Sequence, residues 1–366
     1  MEYQVVMEME QLHDAMLICS EARVLTIDTE FVRVNTYYPE VGLIQIYDGK
    51  RCFLIDPIAL PDLQSLKALM LSSSIVKVFH SCSEDLEVFQ HALGIIPRPI
   101  FDTQIAAALL GIGFSISYQR LVEYYLGIEL LKYETRSDWL KRPLTDNQLK
   151  YAALDVVHLY EVYNQELKAL LETNRLGWVS EECAGLGLQI PTMIDPSQFY
   201  KKVKGASVLD RSQLNVLRDL CSWREVTARN KNIPRNRVIE QKSLLAIAKL
   251  KLSSKTDLVT EASITPKQFR QYGDVIFGVA KEARQKEEHL CPEIIPRSGG
   301  SVNSEHLQRL RRVVMDCAES LSVSPEFLVK RRHLEELLKL DQLPDELNGW
   351  RKEAVGNALL IEMASF

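Results

Sequence analysis

Two acids, Asp28 and Glu30, interrupt an otherwise apolar run in "RVLTIDTEFVRVNTYYPE" (23–40). The run reads as a strand. Strand side chains alternate between faces, so Val24, Thr26, Asp28 and Glu30 share one side while Leu25, Ile27 and Phe31 share the other. Two carboxylates side by side on an apolar surface repel each other and resist ionising unless a cation sits between them. A hard divalent ion, Mg²⁺ or Mn²⁺, answers that need because it takes carboxylate oxygens as ligands. An exposed strand end needs no ion at all, so the pair requires further acids before it points to chemistry.

Two later segments supply them. "HSCSEDLEVF" (80–89) follows an expected strand and opens a helix, with Glu84, Asp85 and Glu87 in its first turn. Negative charge is favoured there anyway, and Ser81 or Ser83 is the expected cap. "YAALDVVHLYEVY" (151–163) is helical, with Tyr151 and Asp155 four residues apart on one stripe. Asp102 in "FDTQ" reads as a helix cap. His80 reads as a locally bonded residue, since hard ions prefer oxygen, and Phe31 reads as core packing.

The elements that must position these groups follow from the apolar pattern. Short runs rich in Val, Ile, Leu and Phe at 24–31, 42–47, 51–56 and 75–80 predict strands, and the Asp-Gly of "YDGKRC" predicts a hairpin between the second and third. Helical periodicity covers 61–71, 84–93, 103–111, 118–126 and 145–172. Strands followed by helices, with one hairpin, predict a mixed sheet covered by helices. Turn-rich segments at 189–205 and 289–307 read as connections, and only helical patterns lie between and after them. These two helical segments match at an offset of 90 residues: Leu217, Leu220, Ala228, Ile233, Val238, Ile239, Leu244, Ile247, Lys249 and Leu250 recur as Leu307, Leu310, Ala318, Val323, Leu328, Val329, Leu334, Leu337, Lys339 and Leu340. Two related helical domains in tandem account for this.

Composition sets the outer limits. A chain of 366 residues, 46% hydrophobic and 25% charged, is long enough for two or three globular domains. No apolar run approaches the ~18 residues of a membrane helix. The acidic start lacks a signal-peptide layout, so a cytoplasmic protein is expected. Seven scattered cysteines without a CxxC pair exclude a zinc site of that type and a disulfide framework. The net charge of −5 hides an asymmetry: residues 1–200 carry 15 Lys+Arg and 27 Asp+Glu, and residues 201–366 carry 29 and 22. An acidic front and a basic back fit a metal-using domain followed by modules that meet a polyanion.

With these residues assembled, "TIDTEF", "HSCSEDLEVF" and "YAALDV" resemble the three motifs of the DEDD superfamily of 3′→5′ exonucleases, in its tyrosine subtype. The intervening "FDTQIAAALLG" and "YQRLVEYYLGIELLKYETRSDWLKRPLTDNQLKYAALDV" are similar to the ribonuclease D family, and the helical repeats resemble the HRDC (helicase and ribonuclease D C-terminal) domain. The resemblance implies a ribonuclease H-like α/β exonuclease domain over 1–200, then two all-α HRDC-type domains over 206–289 and 300–366. It implies that Asp28, Glu30, Asp85 and Asp155 hold two divalent cations (Mg or Mn), which supply a nucleophile at neutral pH and a sink for charge on the leaving 3′ oxygen. Tyr151 would orient the attacking water. The implied partner is RNA with a free 3′ end, above all transfer-RNA precursors, trimmed stepwise to nucleoside 5′-monophosphates, with neither a membrane nor an obligate protein partner. Residues 201–250 carry 12 basic and 4 acidic residues, and Lys201, Lys202, Lys204, Arg235 and Arg237 are the candidate phosphate contacts. The competing readings are a DNA 3′→5′ exonuclease and a non-catalytic nucleic-acid-binding protein. No GxxxxGK[ST] sequence supports a helicase.

Overall fold

The structure, a computed structural model, describes residues 2–130, 137–295 and 303–366. Residues 131–136, inside the segment similar to known nucleases, and 296–302, in the second expected connection, lie outside the described residues. The chain divides into two compact units: Met1–Val32 with Pro39–Ile190 and Ser301–Phe366, and Arg33–Tyr38 with Pro191–Gly300.

The first unit contains, in chain order, β1 (Tyr3–Val6), α1 (Met9–Ser20), β2 (Val24–Val32), β3 (Glu40–Tyr47), β4 (Cys52–Ile55), α2 (Gln64–Leu71), β5 (Val76–Phe79), α3 (Ser83–Leu93), β6 (Ile100–Asp102), α4 (Thr103–Leu109), α5 (Tyr118–Leu126), α6 (Asp146–Glu172) and α7 (Leu176–Ala184). The strands form one sheet in the order β1-β4-β3-β2-β5-β6. Pairs β2–β3 and β3–β4 are antiparallel and the other three are parallel. This is the mixed sheet with helices that the pattern predicts. The hairpin turns at Asp48, whose carboxylate accepts the N–H groups of Lys50 (2.7 Å) and Arg51 (2.6 Å), with Gly49 at φ +92°. The pattern missed the strands β1 and β6, only four and three residues long, and the helices α1 and α7.

Each sheet face has its own core. Leu25, Ile27, Ile44, Ile46, Phe53 and Ile55 pack with residues of α1, α2 and α3. Leu43, Cys52 and Leu54 pack on the other face with Trp139 and with Ala152, Ala153 and Val156 of α6. Helix α6 starts with a capping box, Thr145 accepting from the Gln148 N–H and Gln148 from the Thr145 N–H. All seven cysteines are free thiols, and none of the described helices is long and apolar enough to cross a membrane.

The C-terminal helices belong to this same unit. Leu307, Leu310, Val314 and Ala318 share a core with Val78 and Phe101 of the sheet and with Leu159 and Tyr163 of α6. The ring of Trp350 stacks on Trp178 of α7 with centroids 4.8 Å apart, and its indole N–H donates to Glu182 at 2.7 Å. Arg175 donates to the Leu321 carbonyl at 2.7 Å. Trp350 is 4% exposed, so Trp350→Ala removes a buried aromatic and is expected to cost about 3–5 kcal/mol in denaturant unfolding of the full chain. A loss below about 1 kcal/mol would mean that this junction is not well packed.

The second unit is helical and repeats the geometry of those C-terminal helices. Helices Arg211–Lys231, Arg235–Val238 and Gln241–Lys249 correspond at the 90-residue offset to Ser304–Leu321, Pro325–Leu328 and Arg331–Leu340. Seven of the ten residue pairs matched in the sequence are buried in both copies, while Ile233, Lys249, Leu250, Lys339 and Leu340 are not, so most of the repeat is structural and not an accident of helical periodicity. The first expected connection is not an open linker. Pro196–Lys202 forms a 3₁₀ helix whose Phe199 and Tyr200 are buried in the core of this unit, because three apolar residues (Phe199, Tyr200, Val203) sit among its polar ones.

Candidate active site

The site grows from β2. Asp28 and Glu30 point to the α6 face, where Thr26 also donates to the Val156 carbonyl at 2.7 Å. One carboxylate oxygen from each of Asp28, Glu30 and Asp155 lies within 4.8 Å of the others. Asp85 lies outside this trio. It is buried in the first turn of α3, and its Oδ1 accepts from the Thr29 hydroxyl at 2.5 Å. Thr29, between the two strand acids, therefore reaches the opposite face and ties the fourth acid to the same strand.

Burial raises all four carboxyls, and repulsion from neighbouring acids adds to it at Glu30, Asp85 and Asp155. Burial pushes Asp28 up to about 6, against a Thr29 N–H that favours its charged form. Glu30 is held well above its ordinary value by burial and then by Asp28, Asp155 and Asp85. Asp85 and Asp155 are raised by burial first and Asp28 second. Asp28 and Glu30 are only half-buried, whereas Asp85 and Asp155 are buried. The donor set fits a hard divalent cation: it is all carboxylate oxygen, convergent, and unwilling to ionise without a positive charge.

Tyr151, one turn before Asp155 on α6, donates its hydroxyl to the Asp155 carboxylate. Burial, followed by the charges of Asp155, Glu30 and Asp28, pushes its phenol far above the ordinary value. It is a proton donor at neutral pH and cannot serve as a base. Its ring lies 6.3 Å from that of Trp139, centroid to centroid.

Several positioning residues escaped the sequence reading. Asp102 caps α4 as expected, accepting from the Gln104 and Ile105 N–H groups. It also accepts the N–H groups of Ser81 (3.1 Å) and Cys82 (2.8 Å), which open α3. The expected serine caps are absent: the N-cap is Cys82 without a side-chain bond, and Ser81 takes a left-handed φ of 57° that Asp102 holds in place. Tyr118 donates to the Asp155 carbonyl, bracing the turn of α6 that carries Asp155. His80 bonds locally, as expected, to Thr103 (2.9 Å) and the Ile116 carbonyl (3.2 Å).

A bulge follows Glu30. Glu30 pairs with Leu43 and Phe31 with Val41, so Gly42 is skipped. A Cβ at Gly42 would lie 2.4 Å from the Trp139 carbonyl oxygen, and Arg142 joins the Gly42 carbonyl (2.6 Å) to a two-pronged pair with Asp56 (2.6 and 2.8 Å). A glycine inside a strand often marks such a close approach, so the "EVGLIQ" sequence held the signal. Beyond the bulge, Phe31 is only half-buried and belongs to none of the core clusters, contrary to the expectation of core packing.

The candidate phosphate contacts, all in the second unit, differ among themselves. Lys201, Lys202 and Lys204 are exposed. Arg237 is exposed but donates to the Asn35 side chain. Arg235 is engaged internally: its guanidinium donates to Glu225 at 2.5 and 2.9 Å and to the Tyr37 hydroxyl at 2.9 Å, 4.8 Å above the Tyr37 ring. Burial opposes the charge on Glu225, but Arg235 and Tyr37 hold its carboxyl below the ordinary value.

Comparison with known proteins extends the picture to the whole chain. A family described as 3′-5′ exonuclease matches residues 3–172, and the HRDC domain matches residues 213–279. A ribonuclease D of Pseudomonas paraeruginosa is 43% identical over 347 residues, covering 93% of this chain and 92% of that protein. A ribonuclease D of a Shewanella species is 36% identical over 98% of this chain and 93% of its own length. The crystal structure of Escherichia coli RNase D, described as an exoribonuclease involved in structured RNA processing, superposes with a TM-score of 0.92 at 30% identity over 100% of both chains.

Proposed function

Because the chain belongs to the ribonuclease D family, we propose that Asp28, Glu30, Asp85 and Asp155 form the divalent-ion site of its 3′→5′ exoribonuclease activity. The observation that carries this reading is the convergence of three carboxylates from two elements within 4.8 Å, with Asp85 tied to the same strand by Thr29. The chain is an RNA-directed 3′→5′ exonuclease by family, and divalent metal ions are the family's cofactors. Two ions, Mg²⁺ or Mn²⁺, are the number and type proposed. When bound, such ions lower the pKa of a coordinated water and stabilise charge on a leaving oxygen.

The protein's own groups do the rest. Tyr151 stays protonated: its hydroxyl donates to Asp155, and its oxygen is left to accept from the water beside that acid. Thr29 holds Asp85 and Tyr118 holds the Asp155 turn, so the acids keep their spacing without rearrangement, which is how preorganised groups lower a barrier. Product is a nucleoside 5′-monophosphate, released one at a time.

The proposed substrates are structured RNAs with a short 3′ tail, transfer-RNA precursors first among them, and the proposed site of action is the cytoplasm. The proposed domains are an exonuclease domain followed by two HRDC-type helical domains. Lys201, Lys202 and Lys204 are exposed and closely spaced, and such a surface contacts phosphates without reading sequence, leaving RNA shape to choose the substrate. Arg235 leaves this set because Glu225 and Tyr37 occupy it.

The test is a matched digestion of RNA and DNA strands with added Mg²⁺, followed by the triple variant Lys201→Gln, Lys202→Gln, Lys204→Gln. Expected results are nucleotide release from RNA over DNA, and for the triple variant unchanged trimming of short unstructured RNA. Its affinity for folded RNA should fall, with the log–log salt slope shallower by about 0.7–0.9 per lost contact. A slope equal to that of the parent protein would remove the lysines from the RNA interface.

A further inference from the structure

Gln45 lies in the middle of β3, is fully buried, and is the antiparallel partner of Asp28. Cross-strand partners share a face, with Cβ atoms about 4.5–5.5 Å apart, so its side chain stands beside the Asp28 carboxyl between the sheet and α6. Neither its Nε2 nor its Oε1 has a hydrogen-bond partner. An unpaired buried amide is destabilising, and the layer around it is apolar: Leu43 two residues before it on β3 and Leu54 opposite it on β4 are fully buried. A leucine or methionine would fill this place without loss. A glutamine kept here needs a partner that the polypeptide alone does not provide.

The hydrogen bonds of Asp85, Asp155 and Asp28 indicate which partner. Asp85 accepts from Thr29 and Asp155 from Tyr151. Among the described residues, Asp28 accepts only from a backbone N–H, that of Thr29. Carboxylates that bind metal are commonly fixed by a further hydrogen bond from behind, which sets their orientation. Asp28 lacks that support and Gln45 has an unused donor next to it.

We propose that Gln45 is the positioning residue of Asp28. Its Nε2–H would donate to the Asp28 carboxylate and so fix the orientation in which that carboxylate meets a divalent ion. Gln45 touches neither RNA nor the reacting atoms. It sets the orientation of Asp28, and through it the affinity for metal and the rate of the chemical step. This inference rests on the reading of Asp28 as a metal ligand.

The experiment measures Mn²⁺ affinity by calorimetry, RNA kinetics and metal-free thermal stability for the full chain and for Asp28→Asn, Gln45→Met and Gln45→His. Mn²⁺ binding by the parent protein and its loss in Asp28→Asn establish the ligand. Failure at that step overturns the metal reading itself. With that step passed, Gln45→Met is expected to bind Mn²⁺ about 10–100-fold more weakly, with lower kcat, unchanged KM for RNA, and a metal-free thermal midpoint equal to or above that of the parent. Gln45→His keeps an N–H on that face and should recover part of the affinity. Parent-like Mn²⁺ affinity and kcat in Gln45→Met would overturn the role of Gln45 alone. So would a Met variant that fails to fold, because an amide without protein partners is not needed for folding.

Discussion

Asp28→Asn is expected to lower turnover on RNA by about 10³-fold or more while raising the thermal stability of the metal-free protein. The two effects share one cause. Asp28 sits where three carboxylates converge, and burial raises its pKa from 3.8 to about 6. The folded state thus holds the proton more tightly than the unfolded chain does, and it is penalised as pH rises from about 4 through 6. Asparagine carries no such penalty. The variant should match the parent in stability below pH ~4 and exceed it above pH ~6, with the gap opening between those limits. Divalent cation should reverse the order at pH 7, since Mg²⁺ stabilises the form that binds it and the variant has lost a ligand. Thermal midpoints across pH with and without Mg²⁺, alongside RNA turnover, check each part. Near-parent turnover, or equal stabilisation of both proteins by Mg²⁺, would remove Asp28 from the metal site.

The acids were legible because charge in an apolar strand is anomalous, and anomalies of residue type survive in sequence. Asp28 and Glu30 stand out in "TIDTEF", and the alternation of the strand alone puts them on one face. Asp85 and Asp155 became readable only with the motifs around them, because each also suits its helix for ordinary reasons. What the sequence hid are contacts whose residue types are unremarkable. Thr29 looks like any strand threonine, yet it bonds Asp85 across 56 positions. "FDTQ" predicts the capping role of Asp102, but its second role at Ser81 and Cys82 depends on β5 and β6 being neighbours. β6 is three residues long, too short for any period to register.

Domain organisation divided in the same way. The 90-residue repeat was visible because buried helical positions demand apolar side chains in both copies. That the second copy shares a core with the sheet was not visible, since an apolar helix face looks alike whatever covers it. The consequence is practical: ending the chain near residue 200 would strip Trp178, Leu159 and Tyr163 of their partners from Leu307 to Trp350. Loss of activity in such a fragment would report unfolding, so point changes at Lys201, Lys202 and Lys204 are the cleaner test of RNA contact.

Tyr151→Phe is expected to lower kcat by about 10²-fold while leaving KM for RNA within a small factor, because it removes one hydroxyl and nothing else. The ring keeps its packing against Trp139, so the fold has no reason to change. The hydroxyl is the only part that reaches the acids, and it does so as a donor to Asp155. Burial, followed by the charges of Asp155, Glu30 and Asp28, pushes its phenol up, so what the Phe variant loses is a protonated hydroxyl. Misplacing a reacting water by a fraction of its hydrogen-bond length is enough for a loss of this size. The pH profile gives an independent sign. The Tyr151 hydroxyl favours the charged form of Asp155, so removing it raises the Asp155 pKa further. The acid limb of kcat should then move to higher pH in the Phe variant. A purely structural tyrosine would leave kcat and the acid limb where they were, and that pair of results would place the orienting group elsewhere in the site.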